Sequence, residues 1–238
     1  MFARYSLRTT DLDPALTFYR DAVGLALPNG SSPETCLEAW PLHERALAAG
    51  APAHWLGQLE VDGLEASVAR MVELGAQPLG PTVRAPDGRS WATLRDPFGA
   101  VVALCERGSA TPDQPVAWHQ LHTRDLDRAW PTYLELARFT DAGSIDVPDP
   151  EGGHRLFAWA AGEDPVGSVA NTARWDGVHA QWLYYFPVAD LDARVAKVRE
   201  RGGSSFEPIA LPSGDRLAAC QDPQGAAFGL IERANAAR

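Results

Sequence analysis

The amino-acid sequence predicts an α+β protein built from four βαβββ modules in two tandem domains. Three observations predict it. Residues 61–107 and 188–233 form an internal repeat that aligns with one single-residue gap. Residues 5–25 and 119–139 share a short strand-like run, then Asp-Leu-Asp, then a helical pattern with a tyrosine eight residues after the first Asp. The turns Asp96-Pro97-Phe98-Gly99 and Asp222-Pro223-Gln224-Gly225 each separate two short apolar runs.

In the first quarter Asp11 or Asp13 can cap a helix, and Pro14 fits its first turn. Leu12, Leu16, Tyr19 and Val23 fall on one helical face, and Gly24 ends the helix. The second quarter has a stripe of Leu64, Val68, Met71 and Val72 that stops at Gly75. The fourth has Leu191, Val195 and Val198, stopping at Gly202. In both Asp-Pro-x-Gly turns Asp caps, Pro presets φ and Gly closes a type I turn, so each reads as a hairpin. Residues 42–50 (LHERALAAG) read as a short helix where a strand is expected, so the first module reads as reduced. The turn-rich, apolar-poor stretch 109–115 is read as a linker between domains 1–108 and 116–238.

Composition narrows the function classes. The chain has 238 residues, 45% hydrophobic and 22% charged, as an ordinary globular protein has. A net charge of −10 disfavours nucleic acid and anionic membrane surfaces as partners. Three scattered cysteines (Cys36, Cys105, Cys220) form no CxxC pair and suit a reduced cytoplasm, the expected location. The longest apolar runs are strand-sized. Arginine outnumbers lysine twenty to one, and the lone Lys197 lies on an exposed helix face, which removes Schiff-base chemistry. Eight tryptophans fill a core or line a pocket for flat ligands. Walker, GxGxxG, HExxH and GxSxG motifs are absent.

Tandem βαβββ modules, the helix patterns around Tyr19 and Tyr133 and the two hairpins resemble the vicinal oxygen chelate superfamily of glyoxalase I, bleomycin- and fosfomycin-resistance proteins and extradiol dioxygenases. The segment from Trp118 through TRDLDRAW and the ending DPQGAAFGL look most like a two-domain, glyoxalase-like subgroup. The resemblance implies curved, mostly antiparallel sheets with helices outside and a cavity inside. It also implies metal ligands on the first strand of each module (His, Gln or Glu) and on the last (Glu). Here the first-strand slots fall on Arg4, Leu56, Trp118 and Leu183, and two last-strand slots on Ala103 and Gly229. None offers imidazole, carboxylate or thiolate, so no metal and no other cofactor is expected. Glu38 remains as a single carboxylate.

Strand parity sorts the rest. The slots mark an inner face carrying Phe2, Arg4, Ser6 and Arg8, then His54, Leu56 and Gln58. In the second half it carries Trp118, Gln120, His122 and Arg124, then His179, Gln181, Leu183 and Tyr185. Trp55, Trp182, Tyr184 and Phe186 face the helices, and His119 points away from His122. The expected ligand-binding residues are Arg4, Ser6, His54, Gln58, Trp118, Gln120, His122, Gln181 and Tyr185. The expected partner is a small aromatic molecule held in a sheet-lined cavity. The alternative is a lyase, isomerase or dioxygenase with a relocated metal or none, resting on His54, Gln58 and Glu38, or on His122, Gln120 and Tyr185. A third reading has collapsed cavities and action through partners, with exposed sheet edges that allow a homodimer.

Overall fold

A computed structural model describes residues 1–32, 34–85, 88–108, 115–145 and 153–234. Most of the linker stretch 109–115 lies outside the described residues. The first quarter contains β1 (Phe2–Thr9), α1 (Leu12–Phe18), β2 (Leu37–Pro41) and α2 (Glu44–Ala48). The second contains β3 (His54–Val61), α3 (Leu64–Glu73), β4 (Gln77–Pro78), β5 (Val83–Arg84), β6 (Ser90–Arg95) and β7 (Val101–Glu106). The third contains β8 (Trp118–His122), α4 (Leu126–Ala137), β9 (Thr140–Ile145), β10 (His154–Ala158) and β11 (Gly167–Ala170). The fourth contains β12 (Gln181–Pro187), α5 (Leu191–Glu200), β13 (Ser204–Ser205), β14 (Ile209–Ala210), β15 (Arg216–Gln221) and β16 (Ala227–Glu232).

One rule repeats through all four quarters: the first strand pairs in parallel with the last, as β1–β2, β3–β7, β8–β11 and β12–β16. The other described ladders are antiparallel. One sheet runs β2-β1-β3-β7-β6-β4, with β5 on β6. The other runs β13-β15-β16-β12-β8-β11-β10-β9, with β14 on β15. The first quarter keeps two strands, and α2 occupies the place of a further one. Packing divides the chain into two compact units, one of Met1–Arg4, Gly57–Ala110 and His119–Trp182, the other of Tyr5–Leu56, Thr111–Trp118 and Leu183–Arg238. No helix among the described residues is long and apolar enough to cross a membrane.

Each unit is fastened by the same device. In the first, Asp96 Oδ1 accepts the N–H groups of Phe98 and Ala100 (2.9 and 2.8 Å) and so shapes the turn. Its Oδ2 accepts the Tyr133 hydroxyl of α4 at 2.8 Å, and that hydroxyl accepts Trp182 Nε1 at 3.3 Å. In the second, Asp222 Oδ1 accepts Gln224 and Ala226 N–H groups (2.8 and 2.9 Å), and Trp55 Nε1 donates to the Tyr19 hydroxyl at 2.8 Å. Tyr19 and Asp222 interact electrostatically, though Asp222 Oδ2 has no partner of hydrogen-bond geometry among the described residues. Glu106 holds the start of α3 through Gly63 and Leu64 N–H groups, as Glu232 holds Leu191 of α5. The aromatic cores pack around these links. Phe139 stacks on Phe157 at 4.2 Å in one unit, and Trp55, Tyr19 and Phe228 meet edge to face in the other.

Four local expectations are corrected. Asp11 sits at the start of α1 but its side chain makes no cap. Gln224 Oε1 instead accepts the Asp11 N–H and the Thr9 and Thr10 hydroxyls, so a side chain distant in sequence satisfies the helix end. α1 runs on as a π-turn over Tyr19–Val23 that ends at Gly24 (φ +86°), and its extra residue per turn rotates the buried stripe onto Ala15, Phe18, Tyr19, Ala22 and Val23. Val72 is 43% exposed, because Leu64 and Met71 suffice to seat α3. Phe2 is fully buried, its ring stacked on His119 at 5.1 Å and edge to face with Trp182, two residues expected on the other face of their strands.

Candidate functional site

The first unit contains a cavity of about 780 Å³ at one end of the N-terminal sheet. Strand register explains its floor. Gln58 on β3 lies opposite Ala103 on β7, and Ala103 lies opposite Thr93 on β6. One step along, Cys105 lies opposite both Glu60 and Trp91. Partners directly opposite share a face, so Gln58, Ala103, Cys105 and Trp91 present one surface. Arg4 reaches the cavity from β1, and Arg89 and Ser90 from the start of β6. The Arg89 guanidinium lies 6.0 Å from the centroid of the half-buried Trp91 ring.

Gln58 is the informative residue. It is 2% exposed, lines the cavity, and its carboxamide has no hydrogen-bond partner among the described residues. The amide meets the open space of the cavity, so a ligand hydrogen bond would replace one to water. Of the two described glutamates that line the cavity, Glu106 spends its carboxylate on the start of α3, and the exposed Glu65 lies 3.8 Å from Arg84. Arg107 pairs with Asp62 at 2.7 Å, which also binds Arg138. Burial pushes the Cys105 thiol up to about 12, so it is a poor nucleophile.

Arg4 and Gln58 are thus brought together in the cavity, and the other sequence-predicted residues lie elsewhere. Ser6 is fully buried and donates to Glu38. Glu38 also interacts with Arg8, which lies over Trp40 at 5.9 Å. His54 Nδ1 is 2.9 Å from the Pro52 carbonyl, and burial lowers its pKa. Gln120 is buried opposite Ser168 of β11. His122 Nδ1 lies 2.6 Å from the Thr172 hydroxyl, and burial lowers its pKa to about 4. Gln181 is half-buried. Trp118 is 7% exposed beneath Arg233, whose guanidinium lies 5.9 Å from the ring, pairs with Asp215 and donates to the Ala117 carbonyl. Tyr185 is 2% exposed, and its ring fills the space beside Gly229, where an added Cβ would meet Tyr185 Cδ1 at 2.1 Å.

The halves are therefore unequal at equivalent positions. Ala103 opposite Gln58 leaves room, whereas Gly229 opposite Tyr185 is filled by the ring. Reading the sequence did not single out Trp91, Arg89 or Arg107. The signal was available, because all three lie within the internal repeat, at fixed offsets from Asp96.

The glyoxalase-like domain family matches residues 4–105. The anthracycline biosynthesis protein DnrV of Streptomyces peucetius is 30% identical over 194 residues, 77% of this chain and 67% of its own. The chain belongs to the vicinal oxygen chelate superfamily. CFP32 of Mycobacterium bovis, provisionally named as a glyoxylase, is 29% identical over 247 residues, 96% of this chain and 93% of its own. The fold is shared with the Mn(II)-bound glyoxalase of Novosphingobium aromaticivorans, with a TM-score of 0.64 and 11% identity, covering 97% of this chain and 81% of that one.

Metal-dependent members of the superfamily need a donor set that the described residues do not present. Six of the eight slots hold Arg4, Leu56, Ala103, Trp118, Leu183 and Gly229, and Glu38 alone adds a carboxylate. Among the described residues no group of three or more His, Cys, Asp or Glu could hold a metal ion. These residues do not fit a resident metal.

Proposed function

We propose that this vicinal oxygen chelate protein binds a small aromatic molecule in the N-terminal cavity without a metal ion. The unpartnered Gln58 carboxamide facing that cavity carries the reading. Trp91 on the same sheet face offers a ring for a planar ligand, and Arg4 and Arg89 offer donors. Similarity to the anthracycline biosynthesis proteins of Streptomyces supports a small-molecule role in specialised metabolism. Binding is favoured over turnover because, among the described residues, no histidine lines the cavity and Glu106 is held by the start of α3.

The test is a panel of planar aromatic compounds read by tryptophan fluorescence and melting temperature. At least one binder is expected, and Gln58→Leu is expected to weaken it about tenfold, the worth of one hydrogen bond to a buried amide. A panel that moves neither signal, or a Gln58→Leu variant that binds as well, contradicts the reading. Turnover of a bound compound by the metal-stripped protein would favour the enzymatic alternative, with Arg4 and Gln58 stabilising a developing oxyanion.

A further inference from the structure

We propose that two residues at the start of β6, Arg89 and Ser90, keep the N-terminal cavity open, and that their counterparts before β16, Asp215 and Arg216, bolt the C-terminal half shut. The inference rests on the cavity reading above and names what controls access to that site. Counted back from the two Asp-Pro-x-Gly turns, Arg89-Ser90 and Asp215-Arg216 hold the same place in the repeat, and counted forward, Arg107 and Gly108 match Arg233 and Ala234. In the C-terminal half the bolt is complete. Asp215 Oδ2 accepts Arg233 Nη1 and its Oδ1 accepts the Ala234 N–H, both at 2.9 Å, so the hairpin tip is tied to the end of β16. Arg216 donates to Asp192 of α5 at 2.8 and 3.0 Å and to Glu232 of β16 at 3.4 Å. A Cβ on Gly214 at the tip would meet that of Ala234 at 3.2 Å, so tip and strand end touch.

The N-terminal half keeps the donors and lacks the bolt. A guanidinium has no acceptor, so Arg89 cannot receive the Arg107 side chain or the Gly108 N–H as Asp215 receives their counterparts. Arg107 turns instead to Asp62 at 2.7 Å, where the C-terminal half has Ala189. Glu65 and Glu106 stand where Asp192 and Glu232 stand, but the short Ser90 replaces the arginine that would join them to the hairpin. A Cβ on Gly88 at the tip, or on Gly108 at the strand end, would meet no described atom within 4 Å. The cavity occupies this gap, lined by Gly88, Arg89 and Ser90 from the hairpin and by Glu106, Arg107 and Gly108 from the end of β7.

The test installs the C-terminal pair in the N-terminal half, Arg89→Asp with Ser90→Arg in the full chain, and reads access at Cys105, which lines the cavity. Labelling by methyl methanethiosulfonate, located by peptide mass spectrometry, is expected to slow about tenfold at Cys105, because a charge-assisted hydrogen bond must open before the reagent enters. The buried Cys36 and Cys220 are internal controls and should label at their wild-type rates. Arg89→Leu removes the guanidinium without supplying an acceptor, and should leave Cys105 labelling as it is in wild type. Unchanged Cys105 labelling in a swapped chain that melts at or above the wild-type temperature overturns the inference. Slowing at all three cysteines alike reports global stability and overturns it too. If the double variant fails to fold, Arg89→Asp alone, which supplies the acceptor for Arg107 and Gly108, decides the matter by the same readout. An aromatic panel without a binder would contradict the ligand reading, whereas Cys105 labelling judges the bolt with or without a ligand.

Discussion

Asp96→Ala is expected to destabilise the protein by about 4 kcal/mol, well beyond an ordinary surface substitution. Asp96 is 3% exposed and accepts three hydrogen bonds, two from the turn backbone and one from Tyr133. Alanine would leave those donors buried and unsatisfied, and would release α4 from the turn it is tied to. Tyr133→Phe removes one of the three bonds and should cost about 1 kcal/mol. Asp222→Ala, at the equivalent turn, should cost less than Asp96→Ala, because Asp222 Oδ2 lacks a partner of good geometry among the described residues. Urea unfolding of the three variants checks the order. Equal losses at Asp96 and Asp222 would contradict it.

Acidification should destabilise the fold between pH 6.5 and about 4, chiefly through His119. This ring is 2% exposed and stacked on Phe2, and burial lowers its pKa to about 4. A group whose folded pKa is depressed contributes stability that is present above its unfolded pKa, 6.5, and is lost as pH falls toward the folded value. The full window is worth about 3 kcal/mol for His119. His122 adds a contribution of the same sign, since burial lowers its pKa as well. Asp96 and Asp222 act in the opposite sense. Burial raises both, so their contribution is present at acid pH and lost as pH rises above 3.8 through their raised values. Melting temperatures of wild type and His119→Phe across this range isolate the histidine. The variant should show the shallower acid slope, and parallel curves would contradict the assignment.

The fourfold recurrence was legible because turn chemistry and helix caps are local. Asp-Pro-x-Gly shapes its own turn, and Asp125 and Asp190 cap the helices that follow them. The partners across quarters were not legible. Tyr19 and Tyr133 recur in sequence, as do Asp222 and Asp96, but nothing local says that the tyrosine of one quarter meets the turn of another. Gln224 shows the same limit, since it replaces the Asp11 cap from the far end of the chain. At the candidate site, strand parity placed Arg4 and Gln58 on an inner face, and the cavity brings the two together. Parity does not tell which inner face is open. That depends on whether the residue opposite a small one is large enough to fill the gap, as Tyr185 is beside Gly229 and Gln58 is not beside Ala103.

The proposed ligand cavity works on this scaffold without the metal that metal-dependent members of the superfamily use. The metal-to-protein ratio of the purified, untagged chain tests it most directly, measured by elemental mass spectrometry after incubation with Zn, Ni, Mn and Fe(II) and then dialysis. A ratio far below one is expected for every ion, because six of the slots hold Arg4, Leu56, Ala103, Trp118, Leu183 and Gly229. A ratio near one that survives dialysis would contradict it.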